Sequence, residues 1–400
     1  MTREEIYASC LEAINKSNCL LLESATGTGK SKIAIDLVNH LTASVFVGKK
    51  TRMLLLVAKR VHKETWKEEF KKWGGINVDE VIIECYESMH KYVGKYFDYI
   101  LCDEVHHVQS EARMEYLSKI KYKYMLGLSA TIPRKLKSYF KYRYHSQIVS
   151  CDIIEAIEDE VLPEPQILLF PLMLDNRALT EEWEINGKMK GKGPTLRGTI
   201  QDLWKFKKQK NHAIIACTQL QKVIQYNKLI DWEKDKYMTT RSEAIKQSWL
   251  FHAGKRLEYL SDIKVPIVKD ILRHLNRART ITFCKTIEQA ELLGKNCIHS
   301  KNSMANVIYD EFNKKEINHI TAVNILNENA NLVDCKYGIF CNINGSEVIV
   351  PQRIGRSLRH KHPVIIFPYF KDTREEELIK KHLADYNREY IKVIHSIEEI

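Results

Sequence analysis

The stretch Ser24-Ala25-Thr26-Gly27-Thr28-Gly29-Lys30-Ser31 lies between an apolar run at residues 19–22 and an amphipathic segment with Ile33, Ile35, Leu37 and Val38. Strand, small-residue loop and helix in that order are the setting in which a backbone wraps a phosphate. Glycines let N–H groups converge on the phosphate oxygens, and the helix N-terminus adds its positive dipole end. Lys30 would hold the β- and γ-phosphates of a nucleoside triphosphate, and the Ser31 hydroxyl would coordinate Mg²⁺. Ser24 stands where the usual pattern has its first glycine, so the strict spacing is missed by one position. A serine-capped turn is the alternative.

A second chemical pair, Asp103-Glu104, follows the apolar run Tyr99-Ile100-Leu101-Cys102. A buried strand that runs into two carboxylates places both at the C-terminal edge of a sheet, where a phosphate loop must also lie. Asp103 would hold Mg²⁺, and Glu104 would orient and polarise an attacking water, because phosphoryl transfer is governed by positioning and charge. A charged strand terminus without chemistry would read the same way. His106 and His107 come next, but no third ligand accompanies them, and they are not read as a metal site.

These residues need a scaffold with several strand ends on one side. Short apolar runs at 53–58, 81–83, 99–102 and 124–128 alternate with charged helical stretches, which implies a parallel sheet covered on both faces. A second α/β series starts near Lys264, with strands at 280–284, 320–325, 338–341 and 364–367. Between the two series, residues 176–262 carry few strand signals and read as a mostly helical insertion. The expected division is 1–150, a linker and first strand of the second unit at 151–175, the insertion at 176–262, and 263–400.

Composition agrees with two cores and excludes other classes. The chain has 400 residues, 44% hydrophobic and 28% charged, and its 16 glycines and 9 prolines are far too few for a disordered or fibrous protein. No apolar run approaches the ~20 residues of a membrane-spanning helix, and the N-terminus reads as no secretory signal, so a cytoplasmic protein is expected. The ten cysteines include no Cys-x-x-Cys, which argues for reduced, packed thiols and against a zinc ribbon. A formal charge of +11 points to a polyanionic partner, nucleic acid first.

Further segments occur in a telling order. Leu128-Ser129-Ala130-Thr131 follows the acidic pair, and Gln352-Arg353-Ile354-Gly355-Arg356-Ser357-Leu358-Arg359 fits Gln-x-x-Gly-Arg-x-x-Arg at every fixed position. With these the chain resembles a superfamily 2 helicase of the DExH type over roughly residues 15–365. The resemblance implies an α/β fold of two tandem RecA-like P-loop domains with parallel sheets plus the helical insertion, with ATP and Mg²⁺ in the cleft between them. It assigns coupling to Ser129 and Thr131, makes Gln352, Arg356 and Arg359 catalytic, the arginines as fingers reaching the γ-phosphate, and gives Gly355 a place beside the nucleotide.

Weaker matches mark a nucleic-acid track at Lys59 after Leu56-Val57-Ala58, at Lys91 in Tyr86-Glu87-Ser88-Met89-His90-Lys91, and at Asn324 in residues 322–332, where Asn329 replaces a common glycine. No glutamine precedes Lys30, so an adenine-reading glutamine cannot be placed. Residues 187–210 hold eight basic side chains against one acid; Lys205, Lys207 and Lys208 would neutralise phosphates, or the segment is a solvated loop. Trp183 and Trp204 fit packing within the insertion better than stacking on bases.

The combined expectation is an ATP-dependent DNA helicase or translocase, moving 3′ to 5′ as the resemblance implies. Single-stranded or forked DNA would be its partner, and the chain would act as a monomer with a loading or accessory protein. The lack of attached modules is similar to small phage-encoded helicases. A branched-DNA remodeller, an RNA helicase and a non-catalytic nucleic-acid-binding module are the alternatives.

Overall fold

The computed structural model describes residues 1–186, 212–323, 332–343, 360–384 and 386–400. The first series of apolar runs forms β1 (Cys19–Ser24), β2 (Arg52–Val57), β3 (Glu80–Cys85), β4 (Tyr96–Asp103), β5 (Lys121–Ser129) and β6 (Gln147–Cys151). They pair in parallel in the order β3-β2-β4-β5-β1-β6. Helices α1 (Arg3–Lys16), α2 (Lys30–Val45), α3 (Val61–Lys72), α4 (Glu111–Lys119), α5 (Arg134–Tyr144) and α6 (Ile153–Glu158) accompany them.

Strands buried on both faces read as unbroken apolar runs, since successive side chains point to opposite sides. In β1 and β2, Leu20, Leu22, Met53 and Leu55 enter one core cluster, while Cys19, Leu21, Leu54 and Leu56 enter another. All ten cysteines are buried and unbridged. Burial pushes the Cys10 and Cys102 thiols up to about 12, which suits the packed, unreactive thiols expected from the sequence.

Strand β7 (Gln166–Leu172) belongs to the second sheet although it precedes the insertion. Next come β8 (Glu181–Asn186) and β9 (His212–Cys217), paired antiparallel, and then two long helices, α7 (Gln219–Thr240) and α8 (Glu243–Asp262). The insertion is therefore helical in its second half but carries a two-stranded ribbon that the sequence reading missed. Glu181, Glu182, Glu184 and Asn186 are poor strand formers, and only pairing with the apolar stretch Ala213-Ile214-Ile215-Ala216 organises them.

The second sheet is completed by β10 (Thr280–Phe283), β11 (Cys297–Ile298), β12 (His319–Ala322), β13 (Tyr337–Phe340), β14 (Val364–Phe370) and β15 (Ile391–Val393), with α9 (Val265–Leu275), α10 (Ile287–Leu293), α11 (Ala305–Asn313) and α12 (Arg374–His382). It too is wholly parallel, in the order β11-β12-β10-β13-β14-β7-β15. Two parallel-sheet α/β units are the architecture expected from the sequence. No helix among the described residues is long and apolar enough to cross a membrane.

A buried ion pair fixes the start of α9. Lys264 and Glu375 are almost fully excluded from solvent, with Nζ 2.5 Å from Oε1, and Glu375 Oε2 accepts the Phe370 N–H at 3.1 Å.

His319 at the start of β12 is held by burial at a pKa of about 4, well below its ordinary 6.5, with Nε2 3.0 Å from the Thr282 hydroxyl. The folded form therefore refuses a proton that the unfolded chain accepts below pH 6.5. This part of the stability is present above pH 6.5 and is lost as the pH falls toward 4, by about 3 kcal/mol at most. Denaturant midpoints of the protein and of His319→Gln, measured between pH 7 and pH 4.5, should diverge, with the wild type falling more steeply.

Candidate functional site

Three neighbouring strands, β4, β5 and β1, end on the same edge of the first sheet. Asp103 lies opposite Leu128, and Glu23 lies opposite Ser129, so the loop after β1, the carboxylates after β4 and the serine that ends β5 lie side by side. In a parallel α/β sheet this C-terminal edge is where ligands bind.

The loop from Ala25 to Gly29 is shaped by its glycines. Gly27 and Gly29 hold φ of 104° and 95°, a region that L side chains rarely adopt, and Gly29 caps α2. A Cβ on Gly29 would lie 2.6 Å from Arg3 Nε, and that nitrogen donates to the Thr28 carbonyl at 3.3 Å. Thr28 is buried and its hydroxyl donates to the Ala25 carbonyl at 2.9 Å. The Ser24 hydroxyl, also buried, lies 2.6 Å from it. Serine at position 24 thus braces the loop from within. The Lys30 ammonium lies over the loop, donating to the carbonyls of Ser24 at 2.7 Å and Ala25 at 3.1 Å. Ser31 follows in the first turn of α2, whose N-terminal N–H groups and dipole favour an anion there.

Asp103 and Glu104 are 7% and 4% exposed, so each carboxylate must find partners. Trp66 of α3 donates its indole N–H to Asp103 Oδ2 at 2.8 Å, and the Tyr86 hydroxyl donates to the Asp103 carbonyl at 2.8 Å. Burial, with Cys102 and both carboxylates nearby, raises the Tyr86 pKa well above its usual value, which keeps this donor protonated. Glu104 adopts a left-handed backbone, φ 51° and ψ 58°, turning the chain sharply at the sheet edge. Val105 then packs over Gly127 of β5, where any Cβ would meet the Leu21 and Val105 side chains at 2.6 and 3.0 Å.

The serine that ends β5 joins this network. Ser129 Oγ is 3.2 Å from Glu104 Oε2 and 2.8 Å from the Thr131 carbonyl, and it accepts the Thr131 N–H at 3.3 Å. His106 Nδ1 lies 3.0 Å from Ser129 Oγ and 3.4 Å from Glu104 Oε2. Glu23, one residue before Ser24, accepts the Ile132 N–H at 2.7 Å and pairs with Lys137, which ties the segment after Thr131 to the strand that carries the loop.

Thus Lys30, Asp103, Glu104, Ser129 and Thr131 lie at one sheet edge. Asn324, Gln352, Gly355, Arg356 and Arg359, like Lys205, Lys207 and Lys208, lie outside the described residues. Lys59 and Lys91 line a single cavity of about 600 Å³ with Arg60, Lys63, Glu84 and Glu87, next to the ends of β2 and β3. Sequence reasoning missed His106, Glu23 and Arg3 as members of the site. His106 closes the Asp103-Glu104-Val105-His106 run of the DExH resemblance but carries no assigned role from the sequence, and its contacts are to Ser129 and Glu104; the other two carry no motif.

Among the described residues no group of three or more His, Cys, Asp or Glu could hold a metal. Mg²⁺ dehydrates reluctantly and binds through one or two protein oxygens plus phosphates. Asp103 and the Ser31 hydroxyl are the oxygens that would hold it, and the glycine-shaped loop fits a polyphosphate.

The family described as "Type III restriction enzyme, res subunit" matches residues 2–134, and the "Helicase conserved C-terminal domain" matches residues 263–361. A relative from Sulfurisphaera tokodaii, named a DNA 3′-5′ translocase, is 21% identical over 402 residues, covering 96% of this chain and 82% of its own. The fold is similar to the Hef helicase domain of Pyrococcus furiosus, with a TM-score of 0.50 at 15% identity, covering 95% of this chain and 97% of that one. It is also similar to S. cerevisiae Dbp5, solved with RNA and ADP BeF3, with a TM-score of 0.57 at 11% identity, covering 98% and 89%.

The Trp66 indole is a donor to a buried carboxylate, and its removal leaves Asp103 short of a partner. Trp66→Phe keeps most of the ring volume and should destabilise the protein by about 1–3 kcal/mol, read as a lower urea midpoint at unchanged slope. An unchanged midpoint would mean that solvent or another donor replaces the indole.

Proposed function

The chain belongs to superfamily 2 of the helicases, and we propose that within it the protein is a DExH-type, ATP-driven DNA helicase or translocase. It is a nucleic-acid-dependent, ATP-hydrolysing enzyme. The observation that carries the finer reading is the row of strand ends β1, β5 and β4, which sets the Lys30 loop, Ser129 and the Asp103-Glu104 pair along one edge. Lys30 would exchange its loop carbonyls for phosphate oxygens. Glu104 would hold the attacking water, and Asp103 with Ser31 would hold Mg²⁺, whose charge would draw electrons from the transferring phosphoryl group.

The Ser129 hydroxyl has one proton and three groups within reach, Glu104 Oε2, the Thr131 carbonyl and His106 Nδ1. A change at the hydrolytic carboxylate therefore alters the geometry of residues 129–131, a physical basis for the coupling role assigned to Ser129 and Thr131. Arg356 and Arg359 would complete the site from the second unit, Gln352 and Gly355 beside them, within the proposed division 1–150, 151–175, 176–262 and 263–400. Lys59, Lys91 and Asn324 would line the track. DNA as that track, and 3′ to 5′ movement along it, are supported by the name of the Sulfurisphaera tokodaii relative.

ATP hydrolysis should be measured without nucleic acid and with single-stranded, duplex and forked DNA and RNA. One DNA form should stimulate it; stimulation by RNA alone would make the protein an RNA helicase, and turnover never above that of Glu104→Gln would make it a binding module. Lys30→Ala should abolish turnover, and Glu104→Gln should bind ATP while hydrolysing it at least about 100-fold more slowly. Replacing Lys205, Lys207 and Lys208 together by Ala should flatten the dependence of log K for DNA on log salt by up to about 2–3. An unchanged slope would return that segment to a solvated loop.

A further inference from the structure

We infer that Trp232 and Phe251, side by side on one face of the hairpin formed by α7 and α8, are a stacking platform for the bases of a single nucleic-acid strand. The inference rests on the nucleic-acid reading above and adds a contact outside the sheet-edge site.

The register of the hairpin is fixed by pairs across it. Tyr226 meets Tyr259, Asn227 accepts from Arg256, and Tyr237 meets Trp249. At its middle the Glu233 carboxylate, 4% exposed, accepts the Ser248 hydroxyl at 2.5 Å and lies 2.9 Å from His252 Nδ1. Trp232 precedes Glu233 by one position, and Phe251 precedes His252 by one position. One residue is about 100° of helix rotation, and in an antiparallel pair the same step carries both side chains to the same side. The clasp therefore sets the two rings abreast.

Both rings face solvent, Trp232 at 58% and Phe251 at 59% exposure. Each has a lysine four positions later with its ammonium over the ring, Lys236 at 4.6 Å and Lys255 at 5.8 Å from the centroids. Lys228 lies on the same side of α7, one turn before Trp232, and is exposed. The acids on this side are Glu258 of α8, paired with Lys255 at 2.8 Å, and Asp235 of α7, exposed and three positions after Trp232.

Two large rings flanked by three lysines match a ligand with flat apolar bases and a phosphate backbone. The lysines can swing from the rings to phosphates as bases arrive. An apolar protein surface would instead have to strip water from those ammonium groups without compensation. By contrast, Trp183 packs edge-on against Tyr226 at 4.7 Å, within the fold. The stacking residue of this region is thus Trp232 and not Trp183.

The test is binding of a fluorescent oligo(dT) of about 20 nucleotides, long enough for one site, and of the same strand with abasic positions, to the full chain. Trp232→Ala and Phe251→Ala should each weaken oligo(dT) binding about 5- to 100-fold, while Trp232→Phe stays near wild type. The wild type should bind the abasic strand about as weakly as the double Ala variant binds oligo(dT). Melting temperature and ATP hydrolysis without nucleic acid should not change, since neither ring is in the core.

Oligo(dT) binding by the double variant equal to wild type would overturn the platform while leaving the helicase reading standing. So would wild-type self-association, seen by sedimentation, that the double variant loses with strand binding intact; the face would then hold a second copy of the chain. A wild type that neither binds nor is stimulated by any nucleic acid would bring down the underlying reading, and the platform with it.

Discussion

Register between three parallel strands is the constraint from which the site follows. Because β5 lies between β4 and β1, Ser129 can reach Glu104 on one side while Glu23, on the other, reaches past Thr131 to Ile132. A slip of one residue in either ladder would turn every side chain of that strand to the opposite face, exchanging the members of the two core clusters. The apolar cost of that exchange is what holds the polar groups to within hydrogen-bonding distance. Precision at the site is thus inherited from burial several residues away.

The polar groups themselves are expensive to place. Two carboxylates with almost no exposure stand next to each other in sequence, and each is tolerated only with donors at hand. The left-handed turn at Glu104 separates them, sending Asp103 toward Trp66 and Glu104 toward Ser129 and His106. Strain in a non-glycine residue at such a position is of order 1–3 kcal/mol and persists where the surroundings over-determine it. Here the packing of Val105 on Gly127 and the Tyr86 bond to the Asp103 carbonyl supply that determination.

Much of this was legible in the sequence because chemistry and patterning coincide there. Lys30, Asp103 and Glu104 end or follow apolar runs, and such runs announce their own strands. What escaped was whatever depends on partners distant in the chain. Glu23 looks like an ordinary polar residue in a strand until its contacts more than a hundred positions away are known. Strand β8 is acidic and becomes a strand by pairing, a case of tertiary context overriding propensity. Trp183 and Trp232 are alike as letters, and only the register of α7 on α8 tells which is packed and which faces solvent.

The root of that hairpin ties it to the second sheet. Ser261, near the end of α8, accepts Gln289 Nε2 at its carbonyl and donates its hydroxyl to the Cys341 carbonyl at 3.4 Å; three residues on, Lys264 is locked to Glu375. A buried ion pair of this kind contributes little net stability, but losing either member would strand a charge, so it resists loosening. The hairpin is therefore fastened to β14 and α12 at one end, while its far end is a two-residue turn at Arg241 and Ser242. If the second sheet moves as nucleotide is hydrolysed, the rings of Trp232 and Phe251 must move with it as a rigid lever. A strand stacked on them would be carried along, which links the hairpin contact to motion and not to affinity alone.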